Sequence, residues 1–220
     1  MRFIEFLNED AVVAHYLKHE ITSGRFGRAI CDLLEQNGWP TSLLEQPDVQ
    51  NAEQCSIRTK VLSEFRGYQR NKGMFENFPN DVAWARFAIT SRELMRVRYI
   101  DYSYWNELSG GSRLPSEAAA RIKKGAVVFG MSTQHFLEMA DALRNGAKYP
   151  ELILVGAEAH STLVILEGHA RLTAYALVPD LIPGDLTAIV GLSAGMSAWR
   201  DFPLLDKTEL KVDRKRAPVW

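Results

Sequence analysis

The stretch Thr162-Leu163-Val164-Ile165-Leu166-Glu167-Gly168-His169-Ala170-Arg171-Leu172-Thr173-Ala174 decides the fold of this chain. Its first five residues are β-branched or aliphatic, which is typical of a strand. Gly168 follows closely, and beyond it Leu172, Tyr175 and Ala176 recur at the spacing of one helix face. The stretch therefore predicts a strand that runs directly into a helix beginning at Gly168, as in the repeating units of an α/β protein.

Such a junction can bind an anion. The first amides of a helix lack internal partners, and the helix dipole places partial positive charge there. Gly168 allows a close approach to the backbone, and the planar fork of Arg171 suits a phosphate. Glu167 is placed to bind a metal ion or to accept a proton. The alternative is a plain turn, in which Gly168 only permits the bend and Arg171 makes a surface salt bridge.

The rest of the chain divides into three parts. Residues 1–80 have helical spacing and predict a helical N-terminal region, which ends at the turn cluster Phe78–Asp81. Residues 81–205 alternate between strand and helix patterns and predict an α/β domain with a small mixed sheet. Within it, Thr90 and Glu93 form a capping box, so a helix is expected from Ser91. Residues 206–220 predict a charged C-terminal tail.

Composition limits the classes of protein that this chain can belong to. The 220 residues are 46% hydrophobic and 24% charged, with a formal net charge of −1. This is ordinary for a globular protein, and it provides no overall field that would attract nucleic acid. The two cysteines form no disulfide framework or zinc set. Neither a signal peptide nor a run of about 20 apolar residues is found, so we expect a cytoplasmic protein without a membrane partner.

The segment Glu167–Ala174 resembles the signature G-x-x-R-x-x-A of the ParB/sulfiredoxin superfamily. The preceding helix at 136–145, the strand at 152–155 and the following strand at 187–190 resemble the order of elements in that superfamily. The resemblance covers roughly residues 82–195 and implies an α/β domain of ParB/sulfiredoxin type.

Departures from the signature distinguish the subgroups. Sulfiredoxins carry a catalytic cysteine where this chain has His169, so sulfinic-acid reduction is not expected. Partition proteins that bind CTP carry G-E-R-R-x-R, which His169, Ala170 and Thr173 interrupt. The free-serine kinases of the ParB-like nuclease group have an acidic residue followed by Gly-His-His-Arg. This chain is most similar to them, with Ala170 in place of the second histidine.

The resemblance implies a nucleotide-dependent phosphotransferase that acts on a small molecule. Gly168, His169, Ala170 and Arg171 would hold the phosphates of ATP, ADP or CTP. Glu167 and His169 would be catalytic, with Glu167 binding Mg²⁺ or taking the substrate proton. The alternative is a non-catalytic nucleotide-binding or DNA-associated ParB-like regulator.

Further residues are candidates for the same site. His135 and His160 flank it in the resemblance, and either can serve as a base, although turn histidines are often only solvated. Arg92 and Arg96, together with the basic loop 66–72, can supply phosphate contacts or form an ordinary solvated face. An aromatic cluster is formed by Tyr99, Tyr102, Tyr104 and Trp105. It is expected to pack in the core, and the alternative is a wall on which a base or sugar stacks.

Two other motifs carry less weight. His15 and His19 share a helix face, but Tyr16 stands where a zinc protease would have glutamate, so surface histidines are favoured. Residues 191–195 match G-x-S-x-G, the nucleophile elbow of a hydrolase. That fold requires a histidine after the serine, and all five histidines of this chain precede it.

Overall fold

The computed structural model describes residues 1–24 and 26–202, and their arrangement is mixed α/β. The predicted charged tail, residues 206–220, lies outside the described residues. The described residues form seven strands: β1 (Arg2–Leu7), β2 (Ala83–Ala88), β3 (Val127–Val128), β4 (Met131–Ser132), β5 (Leu152–Gly156), β6 (Val164–Glu167) and β7 (Thr187–Leu192).

Five of the strands form the central sheet in the order β1-β2-β7-β5-β6. Strands β5 and β7 are parallel, and the other neighbours are antiparallel. Every residue of β5 and β6 is buried, as expected for strands covered on both faces. The remaining strands, β3 and β4, pair with each other in a small hairpin. The predicted mixed sheet is thus confirmed.

Helices cover the sheet on both sides. The described residues form nine α-helices: α1 (Glu9–Glu20), α2 (Gly27–Gln36), α3 (Ser42–Glu45), α4 (Ala52–Arg66), α5 (Ser91–Leu94), α6 (Ser103–Leu108), α7 (Pro115–Ile122), α8 (Gln134–Arg144) and α9 (His169–Leu177). Ile153 and Val155 of β5 pack with α1–α4, whereas Leu152 and Leu154 pack with α5–α9. Because neighbouring side chains of a strand point to opposite faces, one strand serves two hydrophobic cores.

The N-terminal region was predicted to be helical, but it also contains a strand. Residues 2–7 form β1, which pairs with β2 at the edge of the sheet. Its side chains are mostly exposed and do not alternate between apolar and polar, so the sequence carries no clear strand pattern. The hydrophobic core beneath α1–α4 also continues past residue 80 to Trp84, Ile153 and Val164. The helical layer and the sheet therefore share one core.

The capping box at α5 is confirmed, but its helix ends at Leu94, before Arg96. The Thr90 side chain accepts a hydrogen bond from the Glu93 amide, and the Glu93 side chain accepts one from the Thr90 amide. The helix ends at Leu94 because the chain then extends along β6, where the Arg98 amide donates to the Leu163 carbonyl at 2.8 Å. Arg96 therefore lies beyond the helix.

Candidate functional site

The predicted strand-to-helix junction is present. Strand β6 ends at Glu167, Gly168 adopts φ = +100°, and α9 begins at His169 without any side-chain cap. A β carbon placed on Gly168 would lie 2.5 Å from Leu152 Cδ2 and 3.2 Å from Arg171 Cζ. Both the left-handed backbone and the close neighbours therefore require glycine. The uncapped amides of α9 are consistent with an anion-binding turn.

Arg171 is buried, which differs from the alternative reading of a surface salt bridge. It is 8% exposed, and its Nη1 donates to the carbonyl oxygens of Pro150 and Glu151 at 2.9 and 2.8 Å. Its Nη2 donates to Oε2 of Glu167, which is itself buried. The arginine lies four residues after the carboxylate, so the strand end and the first helical turn bring the two together. Arg171 therefore ties β6, α9 and the start of β5 to one another.

An aromatic stack supports the other side of the α9 turn. The His169 ring stacks on Trp105 with centroids 5.0 Å apart, and Trp105 stacks on Tyr99 at 4.7 Å. The Tyr99 hydroxyl lies 2.7 Å from Thr173 Oγ1. Tyr99 is fully buried, whereas Tyr102 is 43% exposed. The aromatic cluster is therefore part core, as predicted, and part surface.

A cavity of about 610 Å³, called the cleft below, opens beside this turn. Residues 167–171 and the aromatic pair Tyr102 and Trp105 form one wall. The opposite wall belongs to the helical layer. It includes Tyr16, His19, Glu20, Phe26, Arg66 and Met74. Arg200 and Asp201, after the last strand, also line the cleft. The volume is within the range of pockets that hold small molecules and cofactors.

Burial changes the protonation of several groups in the cleft. Burial raises the pKa of Glu20, and the nearby carboxylate of Glu167 raises it further. Burial also lowers the pKa of His19 to about 4, assisted by the charges of His15 and Arg171, so His19 is neutral at physiological pH. Burial likewise raises the pKa of Asp201. Burial in the cleft thus favours the neutral forms of Glu20, His19 and Asp201.

Four predicted residues are not brought to the cleft. His135 and Arg92 are exposed, and His135 packs on Phe136 with centroids 3.8 Å apart. His160 and Arg96 line a separate cavity of about 140 Å³. His160 precedes β6 whereas Gly168 follows it, so the two lie at opposite ends of that strand. Because α5 ends at Leu94, Arg96 is not presented from a helix toward α9.

The sequence did not single out several cleft residues. His19 was assigned to the surface because it lacks a zinc-protease pattern, and Glu20 and Asp201 carry no motif. Arg66 was noted only as part of a basic loop. The four-residue spacing of His15 and His19 is a signal in the sequence that could have identified them. In the structure their rings lie 4.7 Å apart, and His15 Nε2 is 3.1 Å from the Glu151 carbonyl oxygen. Their shared helix face points toward the junction between layers.

The serine of the G-x-S-x-G motif is structural. Ser193 is 5% exposed, and its hydroxyl donates to Asp81 Oδ1 at 2.6 Å while accepting from the Gly195 amide at 3.1 Å. A hydroxyl engaged in this way closes a turn after β7. The motif therefore needs no hydrolase to explain it.

Comparisons with protein-family models, with curated proteins and with solved structures found no match. The similarity to the ParB/sulfiredoxin signature therefore stays a prediction from the residues themselves. No group of three or more His, Cys, Asp or Glu side chains that could hold a metal ion occurs in residues 1–24 and 26–202. Within the same residues, no helix is long and apolar enough to cross a membrane.

Proposed function

We propose that this protein is a nucleotide-dependent phosphotransferase acting on a small molecule, with the phosphates held at the first turn of α9. One observation carries the proposal: the uncapped N-terminus of α9, with glycine at its cap, opens into the cleft of about 610 Å³. Backbone amides at such a turn bind phosphate without side-chain rearrangement. The resemblance of residues 167–174 to the superfamily signature supports the same assignment.

Gly168, His169 and Ala170 would contact the phosphates in this proposal. The role of Arg171 differs from the one expected. Its guanidinium already contacts Glu167 and two carbonyl oxygens, so it orients the turn and contributes positive charge from below. His169 and Trp105 offer a stacked aromatic surface beside the phosphates, against which a nucleotide base or sugar can lie.

The described residues do not fit a resident Mg²⁺ site. Mg²⁺ prefers several oxygen ligands, and Glu167 has no carboxylate partner in a metal-binding group within the described chain. Arg171 also supplies the positive charge that the sequence analysis assigned to Mg²⁺, so the charge of Glu167 alone gives no reason for a metal. We assign no step to a bound metal.

Glu167 remains our proposed proton acceptor, through the oxygen that Arg171 does not contact. Nucleotide would bind with its terminal phosphate at α9, and the acceptor hydroxyl would lie between that phosphate and Glu167. The hydroxyl oxygen would bond to the terminal phosphorus and pass its proton to the carboxylate, while the bond from that phosphorus to the bridging oxygen breaks and the nucleotide leaves one phosphate shorter. The surrounding helical layer would limit the access of water to the reacting groups.

A second candidate is a non-catalytic nucleotide-binding regulator. The observation that favours it is the closed pair between Glu167 and Arg171, because one oxygen of the carboxylate is already engaged by the guanidinium. The two candidates differ in turnover. An enzyme consumes nucleotide with the correct acceptor, whereas a regulator binds it with little turnover and changes its affinity for a partner such as DNA.

The test places a negative charge at the proposed phosphate position. Ala170→Glu adds a carboxylate to the first turn of α9, where it also complements the helix dipole, and urea unfolding establishes that the variant is folded. Affinity for ATP, ADP or CTP, measured by calorimetry with and without Mg²⁺, should fall by about tenfold or more. Ser116→Glu is the control, since it adds the same charge to the first turn of α7, away from the cleft.

Unchanged nucleotide affinity in the Ala170 variant would contradict the phosphate site. A thermal-shift screen of the unmodified protein is the first step, because a ligand at about 100 times its dissociation constant adds about 2.7 kcal/mol to stability. Nucleotide consumption across a panel of small-molecule acceptors then separates the enzyme from the regulator. Stabilisation by nucleotide without consumption would favour the regulator.

A further inference from the structure

Arg66 lies on the wall of the cleft opposite α9, where its guanidinium is fixed in position but not all of its hydrogen-bond donors have acceptors. It is the last residue of α4, and its guanidinium lies over the rings of Phe26 and Phe65, 4.8 and 5.5 Å from their centroids. Its Nη2 donates to the Met74 sulfur at 2.9 Å. The rings and the sulfur fix the position of the cation, but none of them is a strong hydrogen-bond acceptor.

The remaining donors of Arg66 have little to bind. Its Nε is buried and has no hydrogen-bond partner, and the guanidinium forms no salt bridge with a carboxylate among the described residues. A buried donor left without an acceptor is destabilising. The protein therefore positions an under-satisfied cation at a ligand-sized cavity.

The other arginines of the cleft are different. Arg171 contacts Glu167 and two carbonyl oxygens, and Arg200 forms ion pairs with Glu76 and Asp201. Their charges are compensated within the protein. Among the three arginines that line the cleft in the described chain, Arg66 is the one that forms no ion pair within 4.0 Å, although Glu20 and Asp201 lie near enough to interact with its charge.

The nearby acidic groups do not replace a ligand. Glu20 lies near the charges of Glu167, Arg66 and Arg171, and its carboxylate accepts a hydrogen bond from Ser23 Oγ at 3.2 Å. Burial raises the pKa of Glu20, which weakens it as a permanent counter-charge. Tyr16, beside Arg66, stays neutral because burial raises its pKa.

We propose that Arg66 binds a second anionic group of the ligand, so that the cleft selects polyphosphates, such as nucleoside di- and triphosphates, over monophosphates. This rests on the phosphate site proposed at α9. A single phosphate at that turn would leave most of the 610 Å³ unfilled and Arg66 without a partner. A ligand with one phosphate at α9 and another anionic group on Arg66 satisfies both walls.

The experiment compares Arg66→Gln with the matched control Arg70→Gln. Arg70 follows α4 by four residues, is exposed and pairs with Glu64 through Nη1 at 2.9 Å. Calorimetry with ATP, ADP and AMP in Mg²⁺-free buffer measures all three proteins. The unmodified protein should bind ADP and ATP about tenfold more tightly than AMP, since one charge-assisted contact is worth that much.

Arg66→Gln should abolish that preference, weakening ADP and ATP about tenfold while changing AMP less than about threefold. Arg70→Gln should leave all three affinities unchanged. Arg66→Lys, which keeps the charge but loses the fork, should recover part of the preference. Urea unfolding establishes that each variant is folded. An equal loss for AMP and ADP, or no loss for either, would overturn the proposal.

Failure of the α9 phosphate site can be distinguished from failure of this inference. If the unmodified protein binds no nucleotide, the proposed function fails, and pyrophosphate and inorganic phosphate then become the probes. Weaker pyrophosphate binding in Arg66→Gln alone would still support the role of Arg66. Pyrophosphate affinity that is equal in the variant and the unmodified protein, or undetectable in both, would overturn it.

Discussion

The two walls of the cleft handle their charges in opposite ways. On the wall formed by β6 and α9, Glu167 and Arg171 neutralise each other, and the arginine also satisfies two backbone carbonyls. On the wall formed by α1 and α4, Glu20 and Arg66 form no ion pair. The wall that carries the sequence motif therefore uses its arginine to build the turn, whereas the wall without a motif presents the available cation.

This difference shows that a motif residue can be indispensable for a site without touching the ligand. Arg171 fixes the geometry of the α9 turn, so that the amides are the proposed contacts. In the sequence Arg66 is only the first residue of the basic loop 66–72, yet the cavity, the rings beside its guanidinium and its unpaired Nε make it the better candidate for direct binding.

The largest expected effect is the loss of stability when Arg171 is removed. Arg171→Ala leaves the buried Glu167 carboxylate without its partner, so the free energy of unfolding should fall by about 3–5 kcal/mol. Urea denaturation measures it. Arg144→Ala, which breaks an exposed pair with Asp141 on α8, is the control and should cost less than about 1 kcal/mol. A loss below 1 kcal/mol for Arg171→Ala would contradict a structural role for its pair with Glu167.

The next effect concerns the glycine of the α9 turn. Gly168→Ala adds a β carbon 2.5 Å from Leu152 Cδ2 at φ = +100°, so both strain and overlap should destabilise the protein, by roughly 2–4 kcal/mol. Gly146→Ala isolates the strain, because Gly146 has φ = +87° and nothing within 4 Å of the added atom. It should cost about 1–2 kcal/mol. Equal losses in the two variants would show that Leu152 gives way without cost.

The smallest effect concerns Glu20 and depends on pH. Because burial raises its pKa, the folded protein holds the Glu20 proton more tightly than the unfolded chain does. Its charged form therefore destabilises the protein above the raised pKa, and this cost disappears as the pH falls below the unfolded pKa. Glu20→Gln should stabilise the protein by up to about 0.5 kcal/mol at pH 8 and not at pH 4.

Thermal unfolding of Glu20→Gln across that pH range measures the difference. Glu35→Gln on α2, where the side chain is exposed, is the control and should show no pH-dependent gain. A Glu20→Gln variant whose stability relative to the unmodified protein is the same at both pH values would contradict the buried environment of this carboxylate.

The sequence predicted the elements whose signals are local. The run into Gly168 and the capping box of Thr90 and Glu93 each depend on neighbouring residues, and each is confirmed. Strand β1 was not predicted because its partner is about 80 residues away and its side chains are mostly exposed. A pairing of that kind leaves almost no pattern in the strand itself.

Only the part of the site that is contiguous in the sequence could be predicted. Residues 167–171 form one contiguous turn, so their proximity follows from the chain itself. His19, Arg66 and Asp201 line the same cleft only after three separate parts of the chain pack together. His160 was placed near the site by the family resemblance and Arg96 by its charge, but both line a cavity at the other end of β6.

The pairing of β1 with β2 has a consequence for how the molecule assembles. Residues 8–82 form a single closed loop between the two strands, and the whole layer α1–α4 is contained in it. Bringing the ends of a long loop together costs chain entropy before any distant contact is gained, whereas the β6–α9 turn needs only neighbouring residues. The two walls of the cleft thus differ in contact order: one can form early from a local segment, and the other is complete only when the distant strands β1 and β2 have paired.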